Sequence, residues 1–170
     1  EVSYDNFHTK KDRIYELWNR GEFSGRLNCW NTTPKCAAKF LKQDIPEIEK
    51  AGRVDWSVSR LFTLGEKKIT LLGTAVDKEF LEIFDFPLLK GNVKTALADN
   101  KSILLTEKTA KSLFGDKDPI GKTLNINNLD NVVVTGILAD LPNNSRFYFE
   151  YLLGWDFLLK RESDDPNWGN

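Results

Sequence analysis

The sequence predicts an α+β (mixed α/β) domain, and three observations support this prediction. Segments with helical periodicity alternate with strand-like segments along the chain, and no internal repeat interrupts them. The length of 170 residues suits one domain, or two small subdomains that share a core. Hydrophobic residues make up 41% of the chain and include many Phe and Trp, which is enough apolar surface for an ordered core.

The first thirty residues predict a short helix followed by strands. Ser3 or Asp5 would cap an amphipathic helix over residues 3–12. Residues 14–23 are rich in strand formers, and residues 26–30 form a second short strand or continue the first.

A helix is predicted over residues 34 to about 44. Thr33 supplies a cap and Pro34 suits the first helical position, because proline lacks the N–H that would be unpaired there. Pro46 should end the helix or kink it. Its expected buried face consists of Ala37, Ala38, Phe40, Leu41 and Ile45.

A β-hairpin is predicted next. Val54, Trp56 and Val58 alternate with polar residues, so residues 53–64 form a half-buried strand with Trp56 in the core. Gly65-Glu66 turns the chain, and residues 68–76 return as the antiparallel partner.

The stretch from Phe80 to Gly121 is the best-patterned part of the chain. Asp77 would cap a short helix through Phe84, and an aromatic segment then ends near Gly91. Residues 102–105 form a short apolar run. A helix beginning at Thr106-Glu107 follows, with Gly115 at the left-handed cap position and a turn over residues 118–121.

The remaining segments predict a second hairpin and a final strand. Residues 122–126 and 132–138 form the hairpin around a polar turn at residues 127–131. A loop over residues 142–145 leads to a strand over residues 147–153, and the polar tail over residues 160–170 is expected to be loosely held.

Charge and hydropathy exclude several classes of function. The 24 basic and 25 acidic side chains give a net charge of −1, which predicts no attraction to nucleic acid or to anionic lipid. No apolar run approaches the ~18 residues of a membrane span. The absence of Met predicts a processed product or an excised fragment.

The two cysteines, Cys29 and Cys36, leave two interpretations open. A disulfide would close a short loop and contribute about 2 kcal/mol. Alternatively, both are thiols that pack as small hydrophobic groups. A zinc site is not expected, because the chain has one histidine.

No motif for catalysis or cofactor binding is present, so neither an enzyme nor a cofactor is predicted. The glycine-rich phosphate loops and the GxSxG, HExxH and CxxC motifs do not occur. His8, the sole histidine, is predicted to be a solvated surface side chain. Trp18, Trp30, Trp155 and Trp168 lie in polar or terminal surroundings, where exposed aromatics would mark a partner surface or a platform for sugar stacking.

A succession of short motifs resembles a known family. The first motifs are Ser3-Tyr4-Asp5, Phe7-His8 and residues 11–15. The next are Phe80, Phe84, Phe86-Pro87-Leu88-Leu89, Gly91, residues 105–107 with Ala110, and Leu113-Phe114-Gly115. The last are residues 118–122, 134–136 and 140–142, and Asn144-Ser145. Taken in this order, the motifs resemble those of the periplasmic core domain of MacB-like (FtsX-like) ABC transporter permeases, especially the Bacteroides-type members. The resemblance covers roughly residues 2–158.

The resemblance implies two subdomains. A porter-like subdomain would consist of residues 1–76 and 142–170, and a β-rich sabre-like subdomain of residues 77–141. The motif residues to which it assigns structural roles are Phe86, Pro87, Leu88, Gly91, Gly115, Asp118, Pro119, Gly121, Gly136 and Pro142.

The resemblance also implies a function without chemistry. A periplasmic domain of this kind transmits ATP-driven motion and engages a substrate or an adaptor protein. Its partners would be the transmembrane helices of the same permease and a cytoplasmic ATPase. It would also engage a periplasmic adaptor or a peptide or lipoprotein substrate, and a second copy would form a homodimer in the full transporter. The alternative is a free secreted domain that binds glycans or peptides. Apolar stretches of about 20 residues encoded on both sides of the chain would favour the permease.

Overall fold

The computed structural model describes residues 4–160. Its elements are a 3-10 helix (Lys11–Arg13), β1 (Asn19–Phe23), β2 (Arg26–Trp30), α1 (Ala37–Asp44), β3 (Val58–Leu64), β4 (Lys67–Val76), α2 (Phe80–Ile83), β5 (Leu88–Lys90), β6 (Ser102–Thr106), α3 (Glu107–Phe114), β7 (Thr123–Ile126), β8 (Asp130–Leu138), β9 (Tyr151–Gly154) and α4 (Trp155–Leu159). The predicted α+β class is confirmed. No helix in this part of the chain is long and apolar enough to cross a bilayer.

A seven-stranded sheet, in the order β5-β8-β6-β9-β4-β3-β7, forms the body. The sheet also closes on itself, because β7 pairs with β8 as well as with β3. The β6–β8 and β4–β9 pairs are parallel, and the remaining pairs in the sheet are antiparallel. β1 and β2 form a separate two-stranded sheet.

Two hydrophobic cores lie on opposite faces of the central strands. All residues of β6 and β9 are buried. Ile103 and Leu105 face one core, together with Phe62 and Tyr151, whereas Leu104 and Leu152 face the other. This alternation of side chains across a strand explains how one short apolar run serves both cores.

Most elements of the central stretch are as predicted. β6 and α3 occupy the predicted positions, and Gly115 follows α3 with a φ of 62°. The β7–β8 hairpin turns at Asn127 and Asn128, both with positive φ, as its composition predicts. β5 was not predicted, because three residues are too few to show a period.

The predicted helix over residues 3–12 is wrong in its described part. Asp5 has a φ of 57°, which is incompatible with an α-helix, and the segment forms turns followed by the 3-10 helix. The first strand is also shorter than predicted: only Asn19–Phe23 pairs, opposite β2.

Three burial predictions are wrong. Ile45, expected on the buried face of the first helix, is 40% exposed, because α1 ends at Asp44 and Ile45 is extended. Trp56 is 65% exposed, because the chain before β3 makes only an isolated bridge between Val54 and Val76, and no neighbouring strand covers the indole. His8 is only 3% exposed, because aromatic rings surround it. The last predicted strand begins at Tyr151, since Phe147 and Phe149 pack from a loop.

The cysteines do not form a disulfide. Cys29 is exposed on β2 and Cys36 is buried before α1.

The polar tail over residues 160–170 is predicted to be loosely held. Apart from Lys160, this tail, which includes Trp168, lies outside the described residues.

The sheet draws strands from both segments that were assigned to subdomains. β3, β4 and β9 come from residues 1–76 and 142–170, and β5 to β8 come from residues 77–141. These strands pair with one another at β3–β7 and β6–β9. The division into porter-like and sabre-like subdomains stays a prediction.

Candidate functional site

The N-terminal segment, residues 5–13, is bound to the body at two places, and we call it the N-terminal anchor. At the first place, the backbone N–H of Asp5 donates to the carbonyl oxygen of Asn144 at 2.8 Å. The carboxylate of Asp5 accepts from the backbone N–H of Arg146 at 2.9 Å. Since β9 follows this loop closely, the contact ties the start of the chain to the central sheet.

The second attachment of the anchor is to the segment after α2. The hydroxyl of Thr9 donates to the Asp85 carboxylate at 2.8 Å, and the backbone N–H of Thr9 donates to the same oxygen. The Lys10 ammonium donates to the carbonyl oxygen of Glu82 at 3.2 Å. The hydroxyl of Thr9 is the main reason why the pKa of Asp85 is lowered.

His8 fastens the anchor from inside. Its Nδ1 accepts a hydrogen bond from the backbone N–H of Asp85 at 3.0 Å, so the neutral ring carries its proton on Nε2. The ring centroid lies 4.1 Å from that of Phe7 and 5.2 Å from those of Phe84 and Phe86. Nε2 is buried and has no hydrogen-bond partner in the described part of the chain.

Burial lowers the pKa of His8, and the carboxylates of Asp5 and Asp85 only partly oppose this effect. Protonation would place a hydrogen on Nδ1, facing the N–H of Asp85. The bound anchor therefore requires neutral His8.

A cluster of five phenylalanine rings, which we call the phenylalanine cluster, lies behind His8. Its members are Phe80, Phe84, Phe86, Phe147 and Phe149. Phe80 packs against all four others, with centroid distances between 4.9 and 6.3 Å. The cluster joins α2 to the segment before β9, so the anchor rests on a continuous aromatic core.

Several residues with predicted structural roles meet where β5 pairs with β8. Gly91 has a φ of 102°, and a Cβ there would lie 2.5 Å from the carbonyl oxygen of Thr135. A Cβ at Gly136 would lie 3.0 Å from the Leu88 side chain. Phe86 is buried beside this junction, and Pro87 accepts a hydrogen bond from the N–H of Ala139 at 2.8 Å.

The other predicted structural residues lie in turns. Asp118 forms an ion pair with Lys90 at 3.0 Å, and Gly121 donates to the carbonyl oxygen of Val134 at 2.8 Å. The carbonyl oxygens of Pro119 and Pro142 each accept a turn hydrogen bond, and Gly115 ends α3. These positions shape the chain, and the roles assigned to them stay a prediction.

The β1–β2 hairpin presents an exposed aromatic surface. Phe23 is 70% exposed, Leu27 is exposed on the opposite strand, and Trp18 is exposed beside the hairpin. A Cβ at Gly21 would lie 2.9 Å from the Trp30 ring, so any larger residue there would force the indole to shift from its position across β1.

Exposed apolar side chains are concentrated in the first third of the chain. Those in residues 15–58 are Tyr15, Leu17, Trp18, Phe23, Leu27, Ile45, Val54, Trp56 and Val58. No group of three or more His, Cys, Asp or Glu side chains in the described residues could hold a metal ion. The candidate site consists of the N-terminal anchor and this apolar surface.

Sequence reasoning missed both the buried His8 and its partner Asp85. Only the adjacency of Phe7 and His8 hinted at an aromatic environment, and it did not show which rings would surround the imidazole. The sequence predicts part of the exposed apolar surface: Trp18 is expected to be a candidate exposed aromatic residue, whereas Trp56 is expected in the core.

Comparisons with solved structures identify this class of fold. A domain of a protein described as a permease from Porphyromonas gingivalis has a TM-score of 0.74 at 23% identity, and the match covers 85% of this chain and 61% of that chain. The periplasmic region of MacB from Actinobacillus actinomycetemcomitans has a TM-score of 0.61 at 16% identity, covering 93% and 65%. The extracellular domain of the noncanonic ABC-type transporter YknZ from Gram-positive bacteria has a TM-score of 0.59 at 15% identity, covering 76% and 66%.

The fold is thus that of extracytoplasmic domains of transporter permeases. The model of the MacB-like periplasmic core domain family matches residues 2–165, and the chain belongs to that family. It is a periplasmic domain. It spans less than two thirds of the length of each of these three structures. It matches none of the curated proteins with which it was compared.

Proposed function

We propose that this domain transmits ATP-driven motion from the membrane helices of its permease and engages a substrate or adaptor protein outside the membrane. The partners are those helices, a cytoplasmic ATPase and the engaged protein, and a second copy completes a homodimer. The domain itself carries out no catalytic step. The family match over residues 2–165 carries this proposal.

The N-terminal anchor supports the transmission of motion. A pull on the start of the chain acts directly on the 144–146 loop through Asp5 and on Asp85 through Thr9. Both contacts lead into the phenylalanine cluster and the central strands. A closed sheet with two cores then moves as one body rather than deforming.

The β1–β2 hairpin supports engagement of a protein. Aromatic side chains are the commonest anchors of protein interfaces, and here Phe23 and Trp18 are exposed without a partner element. The outer edges of β1 and β2 pair with no other strand in the described part of the chain, so an extended segment could add to either edge.

An energy-transfer experiment on the full permease tests the proposed transmission. A donor dye is attached at exposed position 117, acceptor dyes are placed on the lipid headgroups of a nanodisc, and transfer is measured without nucleotide and with trapped ATP. We expect an ATP-dependent change in transfer that Asp85→Ala reduces, because Thr9 loses its acceptor. Asp116→Ala removes an equally exposed carboxylate away from the anchor and serves as the control. Equal transfer in both nucleotide states would contradict the proposal, and so would an unchanged response in Asp85→Ala.

A further inference from the structure

A cleft of about 590 Å³ lies between α1 and the body. Its walls come from α1 and the loop before it, from the approach to β3, from the start of α2 and from the start of α4. Five of its lining residues are cationic and three are anionic, although the whole chain has a net charge of −1. The cleft is therefore a local concentration of positive charge.

The floor of the cleft is fixed. The guanidinium of Arg53 forms two hydrogen bonds to the carboxylate of Asp77, each 2.9 Å long. The same guanidinium lies 4.2 Å from the centroid of the Trp155 ring. The Arg53–Asp77 pair neutralises itself and holds the indole in place.

The exposed lysines around this floor have no protein partner in the described part of the chain. Lys39, Lys42 and Lys78 form no ion pair or side-chain hydrogen bond in the described part of the chain. Trp155 is only 7% exposed, and its buried indole N–H has no acceptor among the described residues. Since solvent does not reach this N–H, the groups that the cleft offers to a ligand are the exposed ammonium groups of its lysines.

We infer that this cleft binds an acidic peptide segment, with its carboxylates on the exposed lysines Lys39, Lys42 and Lys78. Lys39 and Lys42, three residues apart on α1, lie on one face and suit successive carboxylates. The carboxylates of Glu79 and Asp156 line the same cleft and are acceptors for the N–H groups of a peptide, which phosphate lacks. Phe40 and Leu97 are the main aliphatic or phenyl contributors, which is too little apolar wall for an acyl chain.

This inference rests on the proposed function, because it states the chemistry of the protein that the domain engages. The volume suits a few residues of a peptide rather than a single inorganic ion. A partner with an acidic stretch would therefore meet the cleft, while the β1–β2 hairpin provides apolar contacts.

A titration of the 170-residue chain with an acetylated, amidated tetra-glutamate peptide tests the inference. We expect binding in calorimetry that weakens as salt rises, and a shift of the Trp155 indole resonance, assigned by its loss in Trp155→Phe. The Lys39→Glu/Lys42→Glu double variant should weaken binding by about tenfold or more. The Lys68→Glu/Lys117→Glu variant makes the same charge change on exposed sites away from the cleft and should change the affinity by less than about twofold.

Several results would overturn the inference. Tetra-glutamine binding as tightly as tetra-glutamate would show that charge is not recognised. Inorganic phosphate binding as tightly as the peptide would show a general anion site, and binding only to phosphatidylglycerol vesicles would show a lipid surface. Equal losses of affinity in the two lysine double variants would show that the peptide does not bind at the cleft. The energy-transfer experiment uses no peptide. The peptide titration can therefore fail while the energy-transfer experiment still supports the proposed transmission of motion.

Discussion

Replacing Phe80 with alanine should strongly destabilise the domain. Phe80 is 1% exposed and packs against four other phenylalanine rings. Its removal leaves a cavity between α2 and the segment before β9, which the surrounding rings cannot fill without leaving their own contacts. Substitutions of this kind cost about 3–5 kcal/mol of unfolding free energy.

For a domain of this size, each kcal/mol lowers Tm by about 2–4 °C, so Phe80→Ala should lower Tm by about 6–20 °C. Urea denaturation followed by tryptophan fluorescence gives the free energy directly. Tyr148→Ala is the matched control, because Tyr148 lies between two members of the cluster and is itself 66% exposed. We expect the control to change the free energy by less than about 0.5 kcal/mol.

The same variant should also loosen the N-terminal anchor. His8 and Phe7 contact Phe84 and Phe86, which Phe80 supports, so amide exchange over residues 5–13 should accelerate more than in Tyr148→Ala. A cost below about 1.5 kcal/mol for Phe80→Ala, or an equal cost in both variants, would refute the assignment of the cluster as the support of the anchor.

Three further predictions concern single features. Folding lowers the pKa of His8, so neutral His8 contributes its full stabilisation above the unfolded pKa of about 6.5, and this stabilisation is lost as pH falls through the lowered folded pKa. The urea midpoint of the wild type should therefore fall as pH is lowered from about 6.5 through the folded pKa, and the midpoint of His8→Gln should fall less. Phe23→Ser/Leu27→Ser should change the unfolding free energy by less than about 1 kcal/mol, since both side chains are exposed, yet reduce the affinity for the engaged protein at least about tenfold in calorimetry. Gly91→Ala should lower stability by more than about 2 kcal/mol in urea denaturation, because its Cβ would overlap the Thr135 carbonyl oxygen, whereas Gly25→Ala, whose Cβ meets no atom within 4 Å, should cost less.

The sequence predicts well those parts of the fold in which neighbouring residues decide the local structure and no long-range contact opposes it. The run at residues 102–105, the helix after it and Gly115 each follow from neighbouring residues, and the structure contains all three. The hairpin turn at Asn127 and Asn128 is another case, because these residues tolerate a positive φ. Local chemistry and tertiary packing agree at these positions.

Predictions failed where long-range contacts decide. Trp56 lies on a strand-like alternation, yet no neighbouring strand covers it, so the period alone gave the wrong burial. His8 is polar and has charged neighbours in sequence, but Asp85, 77 positions away, and the rings beside it create a buried niche. The cleft was equally invisible, since Arg53, Asp77 and Trp155 meet only after the sheet has formed.

Residues 77–86 connect the cleft to the anchor, and this arrangement suggests that the two are coupled. Asp77 and Glu79 line the cleft, α2 follows, and Asp85 then holds Thr9 and His8. A peptide in the cleft can shift the anchor only if it binds the attached and detached states with different affinities. We therefore expect Asp85→Ala, which favours the detached state, to change the affinity of the tetra-glutamate peptide by at least about threefold, although Asp85 does not line the cleft. Calorimetry on wild type, Asp85→Ala and the control Asp116→Ala decides this point. Equal affinities would mean that α2 isolates the two sites, in which case an engaged protein could not influence the anchor through this segment.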